Sequence, residues 1–202
     1  MSFRVFAAEA LADFYTTAAI APSSSHLASA MLAPLDFTRA RVVLELGAGT
    51  GAITQSLLNA LPSSSTLIVF EINLRFWRHL KRSFRDPRLV LINANVANMD
   101  AELKQRGYER VDAVVSSLGL GFMSEDQRQT IFQRLMPFVH EDTILTQYQY
   151  IHGLQFANGR LRRLSLRPTL SRYFRSVQSK IVWRNLPPAC VFTCKMAVAS
   201  QH

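Results

Sequence analysis

The sequence of 202 residues contains only two cysteines, Cys190 and Cys194, which lie in one predicted strand. Four residues of strand span about 13 Å, a distance too long for a disulfide within that strand. No apolar run reaches the roughly 18 to 20 residues that a membrane-spanning helix requires. The first residues also lack the continuous apolar run of a secretory signal. These absences predict a globular protein in a reducing, cytoplasmic setting.

Acidic residues are missing from the last part of the chain. Residues 143–202 contain nine Lys or Arg and no Asp or Glu, whereas residues 1–142 contain 14 basic and 14 acidic residues. The last segment therefore carries the whole net charge of +9. A surface of one sign suits an anionic partner, either nucleic acid or an anionic lipid membrane.

Apolar runs alternate with segments of helical periodicity, which predicts a parallel sheet with helices on both faces. Strands are expected at residues 41–46, 66–71, 89–92, 111–115, 143–149, 177–184 and 189–196. Helices are expected at residues 50–60, 73–84, 98–106 and 124–138, with one or two more before residue 34.

The last two predicted strands are joined by only a short Leu-Pro-Pro turn, so they form an antiparallel hairpin rather than a helical crossover. A mostly parallel sheet of seven strands that ends in such a hairpin is the Rossmann-like α/β fold of class I methyltransferases. No long linker divides the chain. We therefore predict a single domain over residues 1–202, with a helical segment over residues 1–34.

Residues 42–58, VVLELGAGTGAITQSLL, indicate a buried strand, a glycine turn and a helix. Gly47, Gly49 and Ala52 match the G-x-G-x-x-G/A loop that binds a dinucleotide pyrophosphate. With Gly51 they equally match E-x-G-x-G-x-G, the loop with which class I methyltransferases bind S-adenosylmethionine. The carboxylate of Glu45 would repel a pyrophosphate but suits a cofactor with an ammonium and a sulfonium. Glu45 and the hairpin together favour S-adenosylmethionine.

Two further polar positions fit the same cofactor. Glu71 closes the second predicted strand, 24 residues after Gly47, where a carboxylate accepts both hydroxyls of a ribose. Asn95 follows the third predicted strand, where its amide oxygen suits the amino group of an adenine. The structural alternatives are an N-cap acid for Glu71 and an ordinary Asx turn for Asn95.

The loop after the fourth predicted strand faces the reacting centre in this fold. Residues 114–124, VVSSLGLGFMS, lack the Asn/Asp-Pro-Pro-Tyr or Asn-Leu-Pro-Tyr motif with which adenine N6-methylases hold the base. The missing motif argues against an rRNA adenine N6-methyltransferase. That enzyme is the alternative function, because the fold and the basic C-terminal segment would suit it, but nucleic acid is not the expected partner. A third hypothesis is a binding module without turnover, since Asn95 replaces the usual aspartate.

Several segments resemble the bacterial phospholipid N-methyltransferases, over about residues 14–195. They are AAIAPSSSHLASAM (18–31), LELGAGTG (44–51), VVSS (114–117), QYQY (147–150) and, most distinctive, VWRNLPPA (182–189). The resemblance implies stepwise conversion of phosphatidylethanolamine to phosphatidylcholine with S-adenosylmethionine as cofactor. The sequence departs from the family pattern in having Ala18 and Ala19 for Gly-Ser, Asn95 for aspartate, and Gly119 for proline.

The same resemblance suggests roles around the lipid amine. Ser116, which also lies beside the cofactor, and Gln147 are candidate catalytic residues together with Tyr150. The rings of Tyr148 and Tyr150 are expected to hold the increasingly methylated cation by cation–π attraction. Arg184 is assigned to the lipid phosphate, because a guanidinium fork matches two phosphate oxygens. No metal is expected.

Membrane attachment is expected at two places. Phe3, Phe6 and Phe14 fall on one side of a helix that suits a bilayer interface, although the same stripe would fit an ordinary amphipathic helix packed on the domain. The arginine-rich segment 160–175 supplies the second, electrostatic contact with anionic lipid. The resemblance therefore implies a cytoplasmic protein that is peripherally associated with the inner membrane.

Overall fold

The computed structural model describes residues 24–151, 154–157, 160–163 and 165–196. Their elements, in chain order, are α1 (Ser25–Leu32), β1 (Val42–Leu46), α2 (Ala52–Ala60), β2 (Thr66–Phe70), α3 (Leu74–Ser83), β3 (Leu89–Ile92), α4 (Met99–Gln105), β4 (Val111–Ser116), α5 (Glu125–Leu135), β5 (Val139–Tyr150), β6 (Leu154–Ala157), β7 (Arg160–Arg163), α6 (Arg167–Leu170), β8 (Ser176–Val182) and β9 (Ala189–Lys195). Short 3-10 turns stand at Val96–Asn98, Leu120–Phe122 and Met136–Phe138. The predicted phenylalanine stripe lies outside the described residues.

The main sheet has seven strands in the order β3-β2-β1-β4-β5-β9-β8. The first five strands of the chain pair in parallel, whereas β9 pairs antiparallel with both β5 and β8. The predicted fold class and the C-terminal hairpin are therefore confirmed. We call the end of the sheet at which β1–β5 terminate its carboxyl end, and the opposite end its amino end.

Helices cover both faces of the sheet, as the alternating pattern predicts. One core joins Leu44, Leu46 and Phe70 to buried side chains of α4, α5 and α6. The other core joins Val43 and Val69 to buried side chains of α1 and α2. The central strands carry mostly apolar side chains on both faces because both faces are packed, as expected for parallel strands.

Chain reversal also places the β8–β9 loop at the carboxyl end. Because β9 runs antiparallel to β5, its first residue, Ala189, lies opposite Tyr150, the last residue of β5. Val182, the last residue of β8, pairs with the same Ala189. Residues 183–188 therefore lie at the same end of the sheet as the glycine loop.

Three features differ from the sequence prediction. The strand predicted at 143–149 is longer, β5 beginning at Val139, where a register shift occurs opposite Val111. The structure adds a small hairpin, β6–β7, where no strand was predicted, and its second strand lies in the predicted arginine-rich segment. It also adds the short helix α6. Short elements of this kind carry too little periodicity to be predicted from sequence.

The packing at the start of α2 allows a direct test of the glycine loop. A Cβ added at Gly51 (φ +88°) would lie 2.6 Å from Leu80 Cδ2, and Leu80 is completely buried. At Gly107 (φ +75°) an added Cβ would meet nothing within 4 Å. We expect Gly51→Ala to lower the free energy of unfolding by about 1–3 kcal/mol more than Gly107→Ala, as for an overpacked core.

Urea denaturation of both variants measures this difference, with Gly107→Ala as the control for the cost of positive φ alone. Equal losses in the two variants would contradict the packing of α3 against the glycine loop.

Candidate cofactor and substrate site at the carboxyl end of the sheet

The glycine loop, residues 47–51, connects β1 to α2. Gly47, Gly49 and Gly51 all have positive φ values, of 79°, 55° and 88°, which glycine adopts without strain. The backbone N–H of Gly47 donates to the carbonyl of Phe70 at 2.8 Å. The loop is thereby fixed against the end of β2, where ligands bind in open α/β sheets.

The carboxylate of Glu71 couples the glycine loop to the loop after β2. Its Oε2 accepts from the N–H of Gly49 and its Oε1 from the N–H of Asn73, each at 2.7 Å. Glu71 is only 3% exposed, and burial raises its pKa while the two N–H donors lower it. Asn73, rather than Glu71, caps α3, since its side chain accepts from Arg75 and Phe76. The N-cap alternative for Glu71 is therefore wrong.

Glu45 lies behind the glycine loop rather than in an open cleft. It is fully buried, and its Oε2 accepts from the hydroxyl of Thr54 in α2 at 2.8 Å. Its Oε1 has no hydrogen-bond partner among the described residues. Burial raises the pKa of Glu45 to about 8, so the group is mainly neutral at pH 7. Repulsion of a pyrophosphate by a charged Glu45 is accordingly weaker than the sequence suggests.

Two asparagines shape the loop after β3. The side chain of Asn95 accepts from the N–H of Ala97 at 2.9 Å and caps the 3-10 turn, which confirms the Asx turn. A contact of Asn95 with adenine stays a prediction. Asn93, which the sequence analysis did not single out, donates to the carbonyl of Glu71 at 2.7 Å. It joins the loops after β2 and β3, and a lone asparagine after a strand carries no sequence signal for that role.

Ser116 and Gln147 lie opposite each other on neighbouring strands, so their side chains point to the same face of the sheet. Both are buried, and the Gln147 amide donates to the carbonyls of Leu118 and Tyr148 at 2.9 and 2.6 Å. Its Oε1 has no hydrogen-bond partner among the described residues. Gln147 thereby fixes the loop after β4.

Tyr148 and Tyr150 lie on the opposite face from Gln147, because side chains alternate along β5. Their rings are in edge-to-face contact, with centroids 5.3 Å apart. Tyr148 is buried in the core beside α1 and α2, whereas Tyr150 is half-buried at the end of the strand. The four side chains expected around one amine therefore do not line a single wall, and Tyr150 is the more accessible ring.

The two most selective sequence segments meet in the structure. Oδ1 of Asn185 accepts from the N–H and the hydroxyl of Ser24, at 3.2 and 2.7 Å. The Asn185 amide donates to the carbonyl of Pro187 at 2.7 Å, which closes the loop. Ser24 in turn caps α1 by accepting from Leu27. Ser24, the first described residue of the segment 18–31, is thus joined to the RNLPPA loop at the carboxyl end, with Arg184 exposed beside it.

The basic C-terminal segment is only partly available to a partner. Arg167 donates to the carbonyl of Val177 and to the hydroxyl of Ser179, which attaches α6 to β8. Arg172 forms an ion pair with Glu125 in α5. These two arginines stabilise the fold, so an anionic surface would meet the remaining exposed basic residues.

These residues fit S-adenosylmethionine. Glu71 accepts one N–H on each oxygen, and each oxygen keeps a lone pair for a ribose hydroxyl. A Cβ at Gly47 would approach Leu118 Cδ2 to 3.2 Å, so glycine keeps the space between the first loop and the loop after β4 open. Among the described residues, no group of His, Cys, Asp and Glu could hold a metal ion. The helices within the described ranges are also all too short or too polar to cross a bilayer.

Comparison with known proteins identifies methyltransferases that resemble this chain. Residues 43–142 match the family described as Methyltransferase domain. An ornithine lipid N-methyltransferase of Singulisphaera acidiphila is 29% identical over 179 residues, covering 88% of each chain.

Two solved structures share the fold. A 1,6-didemethyltoxoflavin-N1-methyltransferase of Burkholderia thailandensis, with 1,6-didemethyltoxoflavin and S-adenosylhomocysteine bound, is 18% identical with a TM-score of 0.67, covering 96% of this chain and 88% of that one. Human methyltransferase-like protein 13, in complex with S-adenosylhomocysteine, is 15% identical with a TM-score of 0.63, covering 89% of this chain and 86% of that one. The likeness establishes the fold.

The raised pKa of Glu45 predicts a pH-dependent stability. Below its usual pKa of 4.5 the group is protonated in both states, and between 4.5 and about 8 only the unfolded chain loses the proton. Stability is therefore lost as pH rises through this window, by up to ~1.4 kcal/mol per pH unit. We expect Glu45→Gln, which is neutral at every pH, to gain stability relative to the unsubstituted chain from pH 5 to 8.

Urea midpoints at several pH values measure the difference, and Glu141→Gln at an exposed position is the control. If the stability of Glu45→Gln and that of the unsubstituted chain change equally with pH, burial does not raise the pKa of Glu45 as described.

Proposed function

We propose that this chain, a class I methyltransferase that depends on S-adenosylmethionine, methylates the amine of a membrane lipid. Phosphatidylethanolamine and its partly methylated products are the proposed substrates, and phosphatidylcholine is the final product. The observation that carries the proposal is the hydrogen bonding of Asn185 to Ser24, which unites the two segments typical of phospholipid N-methyltransferases at the cofactor end of the sheet.

The similarity to an ornithine lipid N-methyltransferase supports a lipid amine as the acceptor. Ornithine and ethanolamine both present a primary amine on a flexible chain, so an ornithine-containing lipid is the second candidate substrate. The loop after β4, Ser117-Leu118-Gly119, provides no proline or tyrosine with which to hold a nucleobase. An adenine methylase is therefore not proposed.

When bound, S-adenosylmethionine would be held by the glycine loop, residues 47–51, and by Glu71, and it would supply an electrophilic methyl group in line with the lipid nitrogen and leave as S-adenosylhomocysteine. The nitrogen must first lose a proton, because an ammonium has no lone pair. Gln147 is proposed as a positioning residue that holds the loop after β4 through the carbonyl of Leu118. Its Oε1, which has no partner among the described residues, is proposed to orient an N–H of the lipid amine. An amide oxygen does not take the proton. Ser116, the last residue of β4, is proposed to hold the start of the same loop.

Tyr150 is proposed to hold the methylated cation. Its half-buried ring stands at the end of β5, directly opposite Ala189 at the start of β9. The face of an aromatic ring attracts quaternary as well as primary ammonium groups, because the attraction requires no N–H donor. Tyr148 supports Tyr150 from the core through their edge-to-face contact.

Arg184 is proposed to bind the lipid phosphate. Its side chain is exposed in the β8–β9 loop, next to the buried Asn185 that fixes the loop. A guanidinium donates to two oxygens of a phosphate at once. The phosphate and the amine of one headgroup would then be held by residues at the same end of the sheet, since Tyr150 and Val182 both pair with Ala189.

Substitution of Tyr150 separates two possible roles of the phenol. If the ring acts by cation–π attraction, Tyr150→Phe keeps most activity, because phenylalanine retains an aromatic face. Tyr150→Ala is then expected to lose about 5–30-fold in rate, which corresponds to about 1–2 kcal/mol. The loss should be largest for the second and third methyl groups, so that monomethylated lipid accumulates.

Mass spectrometry of the lipid products measures the distribution. If Tyr150→Phe is as inactive as Tyr150→Ala, the hydroxyl rather than the ring is required, and the cation–π role is wrong.

The proposed function is tested with purified protein, labelled S-adenosylmethionine and three acceptors in parallel. The acceptors are vesicles of phosphatidylethanolamine with phosphatidylglycerol, vesicles that contain an ornithine lipid, and rRNA. We expect label in the phosphatidylethanolamine fraction, with chromatography showing the number of methyl groups. Label only in the ornithine lipid would correct the substrate, and label only in RNA would refute lipid methylation.

A further inference from the structure

The exposed large hydrophobic side chains of the described residues are not scattered over the surface. They are Ile72, Leu74, Phe122, Ile181, Trp183 and Leu186. All of them lie at the carboxyl end of the sheet. Single exposed apolar residues need no explanation, but their confinement to one end of the fold indicates an interaction surface.

The topology places these residues at one end of the sheet, along a row of loops that extends from β2 to β8. Ile72 and Leu74 follow β2, and Phe122 follows β4, so they stand where parallel strands end. Ile181 pairs with Cys190, one residue from the end of the β8–β9 ladder. Trp183 and Leu186 lie in the loop beyond it, with 72% and 79% of their surface exposed.

The β8–β9 loop is held in shape although its apolar side chains are exposed. Asn185, between Trp183 and Leu186 in sequence, is only 3% exposed and bonds to Ser24 and Pro187. The backbone carbonyl of Pro188 accepts from the N–H of Ile151 at 3.0 Å. A fixed loop with exposed Trp and Leu loses little conformational entropy when it contacts a partner.

Basic side chains border the apolar surface at the carboxyl end, where the exposed Arg75 follows Leu74 and the exposed Arg184 follows Trp183. The connections at the amino end carry exposed charges of both signs, among them Asp36, Glu109, Arg110 and Arg175. Within the described residues, that end has no large exposed apolar side chain. An anionic membrane would therefore find apolar side chains next to arginines only at the carboxyl end.

We propose that the carboxyl end of the sheet docks on an anionic lipid bilayer, with Trp183 and Leu186 inserted at the level of the headgroups. This inference rests on the proposed function, because it supplies the route by which a bilayer lipid reaches the cofactor without leaving the membrane. Tryptophan prefers the membrane–water interface, and exposed arginines pair with anionic headgroups. The surface differs from the two attachments expected from the sequence, the phenylalanine stripe of residues 3–14 and the segment 160–175.

The chain contains two tryptophans, Trp77 and Trp183, which makes a direct optical test possible. In Trp77→Phe the emission comes from Trp183 alone. Vesicles of phosphatidylglycerol and phosphatidylethanolamine are expected to shift this emission to shorter wavelength. Lipids brominated near the headgroup end of the acyl chain should quench it. The reciprocal variant, Trp183→Phe, reports on Trp77 in α3, whose indole nitrogen is buried, and should respond less than Trp183 does.

Vesicle sedimentation measures the contribution of the loop to binding. We expect Trp183→Ser with Leu186→Ser to lower the partition coefficient about tenfold or more, since each side chain loses apolar burial. Arg184→Ser should also weaken binding, whereas Arg110→Ser removes the same charge at the amino end and should not. The Arg110 side chain is 72% exposed, so its loss does not disturb the core.

The outcomes separate docking from catalysis. Binding is measured without cofactor, so it does not depend on methyl transfer, and detergent-dispersed phosphatidylethanolamine tests transfer without a bilayer. Unchanged partition of the Trp183/Leu186 double variant, or binding without a Trp183 response, would overturn the proposal. A dimer that this variant dissociates, with vesicle binding intact, would assign the surface to a second copy of the chain and equally overturn it.

Discussion

Parallel pairing of β1 with both β2 and β4 is the constraint on which the site depends. Because these strands run in one direction, the loops that follow them all open at the same end of the sheet. The chain reverses its order between β1 and β4, and the glycine loop lies there. Glu71 then fixes the positions of two of these loops relative to each other, because its carboxylate accepts hydrogen bonds from the N–H groups of both.

The antiparallel strands place the proposed substrate residues at the same end of the sheet as the glycine loop. β9 returns along β5, so the β8–β9 loop joins the same end of the sheet. Asn185 attaches that loop to Ser24, at the start of α1. The proposed amine site, phosphate site and membrane surface thereby share one end of the fold with the cofactor loop. Under the proposed function, lipid and cofactor would therefore meet at this one end of the sheet.

Much of this architecture could be predicted from sequence, because it depends on local patterns. Strands β1–β4 match their predicted ranges to within one residue, since buried parallel strands read as short apolar runs. The short Leu-Pro-Pro turn permits only a hairpin, which fixed the end of the sheet. Glycines and carboxylates at the ends of strands suggested the candidate cofactor residues for the same reason, because the end of an apolar run marks the end of a strand.

The remaining features depend on contacts between distant residues. Asn185 and Ser24 are 161 positions apart, and nothing local to either indicates their hydrogen bond. The neutral state of Glu45 follows from complete burial in the assembled fold, which a strand pattern does not reveal. The separation of Gln147 from Tyr148 follows from strand alternation, but treating their sequence motif as a single cluster obscured it. That the exposed apolar side chains share one end of the sheet can be recognised only once the order and direction of the strands are known.

Hydrogen–deuterium exchange with S-adenosylhomocysteine and anionic vesicles tests most directly whether one end of the sheet serves both cofactor and lipid. The account predicts that S-adenosylhomocysteine protects residues 47–51 and 71–73, and that vesicles protect residues 183–188 and 120–122. The connections at the amino end, such as residues 106–110, should exchange at an unchanged rate in both cases. Protection by vesicles at the amino end, with residues 183–188 unaffected, would contradict it.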